Sequence, residues 1–169
     1  MKKIFEELGY GDRRTIGKSN EIIRVVLDKP ILVGDLIDGM TSENPVLRMR
    51  CADAAEKVST VKPELLQPFL NILIEKISSI DQQEVRWHFA QIIPRMSLTA
   101  EERKRVVKIL RGYLDDPSRI VQTFSYQALA DLSEKDEILR GEFLPFLLVA
   151  QNSPIPSIRA RCKKILAKL

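Results

Sequence analysis

The sequence predicts an all-α protein, a right-handed α-solenoid of about four stacked helix pairs with an N-terminal helical cap. Three observations predict it. Leu47, Val85, Val121 and Ile158 stand 38, 36 and 37 residues apart. Around each of these anchors, apolar and small residues return at the same offsets. No stretch shows the sustained alternation of a β-strand.

The offsets are what make the repeated element a helix. Four residues beyond the anchors stand Cys51, Phe89, Ser125 and Cys162; seven beyond, Ala54, Ile92, Ala128 and Ile165; eleven beyond, Val58, Met96, Leu132 and Leu169. Offsets of 0, 4, 7 and 11 fall on one narrow face of a helix but on both faces of a strand.

Residues 1–18 read as a separate basic segment in which Gly9, Gly11 and Gly17 stand with Arg13, Arg14 and Lys18. The solenoid domain is expected over 19–169. Ser19 can cap a first helix carrying Ile22, Ile23, Val26 and Leu27, which Pro30 ends and which a second helix follows to Met40. Copies are then expected at about 30–60, 63–97, 99–133 and 137–169.

Within them, Leu66, Phe69, Leu70, Leu73 and Ile77 make one amphipathic stripe. Val106, Val107, Ile109, Leu110, Tyr113 and Leu114 make another. Thr99-Ala100-Glu101-Glu102 has the form of a capping box. Asn44-Pro45 and Asp116-Pro117 are expected to start second helices.

Hydrophobic residues at 44% and charged residues at 30% exclude a disordered chain. The net charge of +4 permits an acidic partner without requiring one. Glu6 and Glu7 interrupt the signal-like start Met1-Lys2-Lys3-Ile4-Phe5, and no run has transmembrane length. Cys51 and Cys162 make no disulfide framework. A cytoplasmic protein is expected, with no membrane association.

The turn-and-helix pattern is similar to HEAT repeats. It reads Asn44-Pro45-Val46-Leu47-Arg48, Glu84-Val85-Arg86, Asp116-Pro117 with Val121-Gln122, and Pro156-Ser157-Ile158-Arg159. The chain resembles small bacterial HEAT-repeat proteins, a pattern that carries an architecture and no assigned activity. Gln122 departs from the expected arginine, and the turn aspartate is clear only at Asp116, so an Asp–Arg ladder would be incomplete. Tetratricopeptide and ankyrin signatures are missing.

The resemblance implies that the second helices line a concave surface. Helical geometry leaves offsets 2, 3, 6 and 10 for solvent or ligand. That face comprises Met49, Arg50, Asp53 and Lys57; Trp87, His88, Gln91 and Arg95; Thr123, Phe124, Gln127 and Asp131; and Ala160, Arg161, Lys164 and Lys168. Six Lys/Arg face two Asp there. Trp and Arg are frequent interface hot spots, where truncation costs about 2 kcal/mol or more.

Each of these has a plainer reading. Arg48, Arg86 and Arg159 fit structural bonds to turn carbonyls or a neighbouring copy. Trp87 suits either packing between repeats or an exposed anchor. His88, the single histidine, lacks spaced partners for a metal or for acid–base work and reads as a surface or interface residue. Cys51 and Cys162 share a core slot and read as buried thiols. The run Glu101–Arg105 is the solvated face of its helix. Residues 11–19 nearly spell a phosphate loop, but the spacing is one residue too long and no strand precedes it.

The expected function is therefore a non-enzymatic module or scaffold binding a protein or peptide, with no cofactor and no metal. The alternative is nucleic-acid binding, with the basic residues along a phosphate backbone and Trp87 and Phe124 against sugars or bases. The HEAT-like DNA-alkylation repair glycosylases lend that alternative some weight. Among HEAT-like enzymes, deoxyhypusine hydroxylase needs several His-Glu metal pairs, and a phycobilin lyase finds no residue-level support here.

Overall fold

The computed structural model describes residues 19–134 and 136–168, and every regular element among them is helical. The basic segment 1–18 and the last stripe position, Leu169, lie outside the described residues. The chain divides into two compact units, Met1–Ser97 and Leu98–Leu169.

In the first unit, α1 (Ser19–Asp28) buries Ile22 and Val26. A one-turn 3-10 segment at Pro30–Leu32 then leads into α2 (Val33–Gly39), which buries Leu36 and Ile37. Helix α3 (Pro45–Val61) starts where Asn44 Oδ1 accepts the backbone N–H groups of Val46 at 2.9 Å and Leu47 at 3.3 Å. Such a cap stabilises a helix by about 1 kcal/mol. Helix α3 packs against α1, α2 and α5 (Gln83–Ile92).

The expected helix through Leu66 and Ile77 is not continuous. Only Leu70–Glu75, here α4, is α-helical; 3-10 turns cover Pro63–Leu65, Gln67–Phe69 and Ile77–Ser79. Pro63 and Pro68 have no N–H to give an α-helical ladder, so the chain tightens locally. The stripe still faces inward, with Leu66, Leu70, Leu73 and Ile77 buried.

In the second unit, α6 (Ala100–Gly112) opens on the expected capping box. The Thr99 N–H donates to Glu102 Oε2 at 2.7 Å, and the Glu102 N–H donates to Thr99 Oγ1 at 3.3 Å. Helix α7 (Arg119–Ser133) begins later than Asp116-Pro117 suggests. The Asp116 carboxylate accepts the Ser118 N–H at 2.8 Å and so shapes the turn before the helix instead of capping it. Helix α8 (Glu137–Ala150) is capped by Asp136, and α9 (Pro156–Leu166) packs on both α7 and α8.

The described stripe residues at offsets 4, 7 and 11 are all buried, as are the anchors Val85, Val121 and Ile158. Leu47 is half-buried. Each fully buried aliphatic or aromatic side chain contributes about 1.5–3 kcal/mol by leaving water. Among the described residues, no helix is long and apolar enough to cross a membrane.

One hydrogen bond recurs after each of the four anchors. The side chain just after the anchor donates to the backbone carbonyl six residues earlier. Arg48 reaches Ser42 at 2.7 Å, Arg86 reaches Ile80 at 3.2 Å, and Arg159 reaches Ser153 at 2.8 Å. Gln122 makes the same bond to Asp116 at 2.6 Å, so the departure at that position keeps the function of the arginine. This turn clamp ties α3, α5, α7 and α9 each to the loop entering it.

Candidate functional site

In the first unit the offset residues of α3 and α5 are largely consumed by one another. Lys57 Nζ lies 2.7 Å from Asp53 Oδ2. Arg95 Nη2 lies 2.7 Å from Glu56 Oε1, and Arg95 Nη1 donates to Ser59 Oγ at 2.7 Å. Met49, Trp87 and Gln91 are half-buried. The Trp87 ring is tilted against His88 with centroids 5.6 Å apart.

Two residues expected on the outer face are buried, and this corrects the sequence reading. Arg50 is 2% exposed and His88 is 9% exposed. Helix α3 is enclosed by three helices, so a wider arc of it is covered than the apolar stripe alone requires. On α5, position 88 turns toward α3. Burial therefore lowers the His88 pKa, while Asp53, Glu56 and Glu84 oppose that shift and Lys57 adds to it.

The second unit leaves its share more open. Arg161 Nη1 donates to Gln127 Oε1 at 3.0 Å, and Gln127 Nε2 donates to Asp131 Oδ1 at 2.7 Å. The Arg161 guanidinium lies over the Phe124 ring, 5.7 Å from its centroid. Thr123 Oγ1 donates to the Arg119 carbonyl at 2.7 Å. Ala160, Lys164 and Lys168 are exposed.

These α7 and α9 residues border a cavity of about 380 Å³, lined by Gln127, Ala130, Asp131, Arg161, Lys164 and Lys168 together with Glu134 and Ile165. Partial burial in that wall raises the Asp131 carboxyl above its ordinary value, outweighing the Gln127 hydrogen bond and the nearby Arg161 and Lys168. Lys164 and Lys168 enter no ion pair among the described residues. Sequence reasoning missed Ala130, Glu134 and Ile165, although Ile165 stands in the core stripe and is placed beside the cavity by the packing of α9 on α7.

His88, Arg95 and Arg161 each reach back to the preceding helix of their face, α3 for the first two and α7 for the third. The signal was available in the spacing, because Arg161 follows Gln127 by 34 residues and Arg95 follows Ser59 by 36.

A second depression of about 430 Å³ lies between α6 and α8, where Val107, Ile138 and Leu139 meet. Ion pairs bridge it, Arg103 to Asp136 at 3.6 Å and Arg111 to Glu142 at 2.7 Å. Cys51 and Cys162 are buried; burial pushes their thiols up to about 12 and about 11, so neither is a thiolate nucleophile at neutral pH. Among the described residues, no group of His, Cys, Asp and Glu side chains could hold a metal ion.

Comparison with family models, with curated proteins and with solved structures finds no match to this chain.

Proposed function

We propose that this chain is a non-enzymatic, HEAT-like interaction module whose α7–α9 face grips an acidic segment of a protein partner. One observation carries the reading. Lys164 and Lys168 stand exposed at the rim of the α7–α9 cavity, beside a guanidinium already oriented by Phe124 and Gln127. A carboxylate arriving there meets cations that need not leave an existing ion pair.

The same wall contains Asp131 and Glu134, which interrupt the cations, so spaced carboxylates of an acidic segment can meet Lys164 and Lys168 where a continuous phosphate backbone would also run against the two acids. Protein therefore takes precedence over nucleic acid. Affinity purification from the source cell tests this, using wild type, a Lys164→Glu/Lys168→Glu variant and a Lys57→Glu control. The reading expects a discrete protein that is lost with the double reversal and kept with the control. Equal recovery with all three removes the α7–α9 face as the site. A salt-sensitive oligonucleotide shift abolished by the same reversal would move the reading to nucleic acid.

A further inference from the structure

The depression between α6 and α8 shares no lining residue with the α7–α9 cavity. On its α6 side stand Ala100, Arg103, Lys104 and Val107, whose helical spacing puts them on one face. Ile138 and Leu139 supply the apolar part of the opposite side, with Asp136 and Glu142 at its edges. Leu139 is buried and Val107 half-buried, while Ile138 is 78% exposed. At about 430 Å³ the space is of the size that holds one small molecule.

Its charges narrow what that molecule can be. Asp136 is engaged twice, accepting the Leu139 N–H through Oδ1 at 2.9 Å and facing Arg103 Nη1 through Oδ2 at 3.6 Å. Glu142 is taken by Arg111 at 2.7 Å. Glu101 and Glu137 belong to the same first turns but fall outside the lining. Lys104 is exposed and enters no ion pair among the described residues.

Arg103 is less committed than its ion pair suggests. A tight charge-assisted hydrogen bond to a carboxylate spans about 2.7–2.9 Å, so the 3.6 Å contact leaves its guanidinium with N–H groups for a second acceptor. The depression therefore combines apolar surface with a single uncompensated charge, and that charge is positive.

From this balance we infer that the α6–α8 depression binds a small amphipathic carboxylate. Its head lies between Lys104 and Arg103, and its apolar body lies along Val107, Leu139 and Ile138. One negative charge complements one free lysine. A phosphate monoester would bring a second negative charge toward Asp136 and Glu142, and an ammonium head would meet Lys104. The apolar body takes the Ile138 side chain out of water. The inference is independent of the α7–α9 reading, because neither Lys164 nor Lys168 lines this space.

Titration of the full chain with decanoate, below the concentration at which it forms micelles, tests it by calorimetry and by methyl NMR. Decanoate is expected to saturate one site with a Kd of about 1 mM or tighter. The Val107, Ile138 and Leu139 signals should move, and that of Ile120, exposed on α7, should not. Decyltrimethylammonium, the same tail under the opposite charge, should bind at least about tenfold more weakly.

Lys104→Gln should weaken decanoate by about fivefold, the upper end of what a partly exposed ion pair supplies. Ile138→Asp should weaken it by about tenfold or more, since it removes apolar contact and sets a carboxylate against the tail. Lys76→Gln, the same loss of charge in the first unit, should change nothing. Lys104 and Ile138 are both exposed, so the two variants should keep the wild-type melt.

No saturable binding up to about 5 mM decanoate overturns the inference. Equal binding of the two head groups overturns it too, as does equal binding by Lys104→Gln and wild type, since either would leave only general adhesion to apolar surface. Shifts confined to Leu144, Leu148 and Val149 would place the tail outside the depression and count equally against it.

Discussion

The α3–α5 face of the first unit and the α7–α9 face of the second carry residues at the same offsets, yet they differ in what those residues are free to do. In the first, Lys57 is held by Asp53, Arg95 by Glu56 and Ser59, and His88 is sealed against α3. In the second, one guanidinium is positioned by Gln127 and Phe124 while Lys164 and Lys168 stay in solvent. Charge at a helical offset is therefore a poor guide to charge available for binding. The deciding term is whether a carboxylate on the same helix or the preceding one stands within reach of the cation.

The comparison can be broken first at its floor. The core slot four residues past the anchor holds Phe89 beneath the α5 face and Ser125 beneath the α7 face, both fully buried. Phe89→Ala should cost about 3–5 kcal/mol from lost transfer energy and the cavity left behind. Ser125→Ala loses only a hydroxyl that donates to the Val121 carbonyl at 2.8 Å, and should cost about 1 kcal/mol or less. Denaturant melts of the two variants check the order, and equal costs would deny that the two faces rest on different cores.

A smaller contrast compares the faces themselves. Arg95→Ala removes a partly exposed ion pair and the bond to Ser59, and should cost about 1 kcal/mol. Lys164→Ala should stay within about 0.5 kcal/mol. Chemical denaturation resolves the two, and a reversal of their order would mean the second face is the one already satisfied.

The smallest effect is in pH. His88 is the chain's single histidine, and burial holds its native pKa below the ordinary 6.5. The unfolded chain then binds a proton that the native state resists. Stability is complete above 6.5 and falls as pH drops from that value toward the lowered native pKa. His88→Gln should flatten this part of the stability profile. An unchanged slope in the variant would assign it to carboxylates.

Much of this organisation was legible in the sequence. The inward stripes, the Thr99–Glu102 box and the Asn44 cap follow from side-chain type and spacing, which are local. What escaped was set by neighbours. Arg50 is buried because α3 has three helices around it, a number no periodicity reports. The stripe from Leu66 to Ile77 predicted the right buried side but a helix too long, since Pro68 decides hydrogen bonding and not direction. Gln122 read as a defect because the pattern names arginine, while the carbonyl of Asp116 asks only for a donor at the right reach.

The measurement closest to the central claim places a photo-crosslinking amino acid at Gln127 in one chain and at Gln91 in another, each expressed in the source cell. Both positions are half-buried and both lie at offset 6 of their helices. A discrete protein adduct from position 127, with little or none from position 91, is the result expected of an open α7–α9 face. Adducts from position 91 alone would contradict the account.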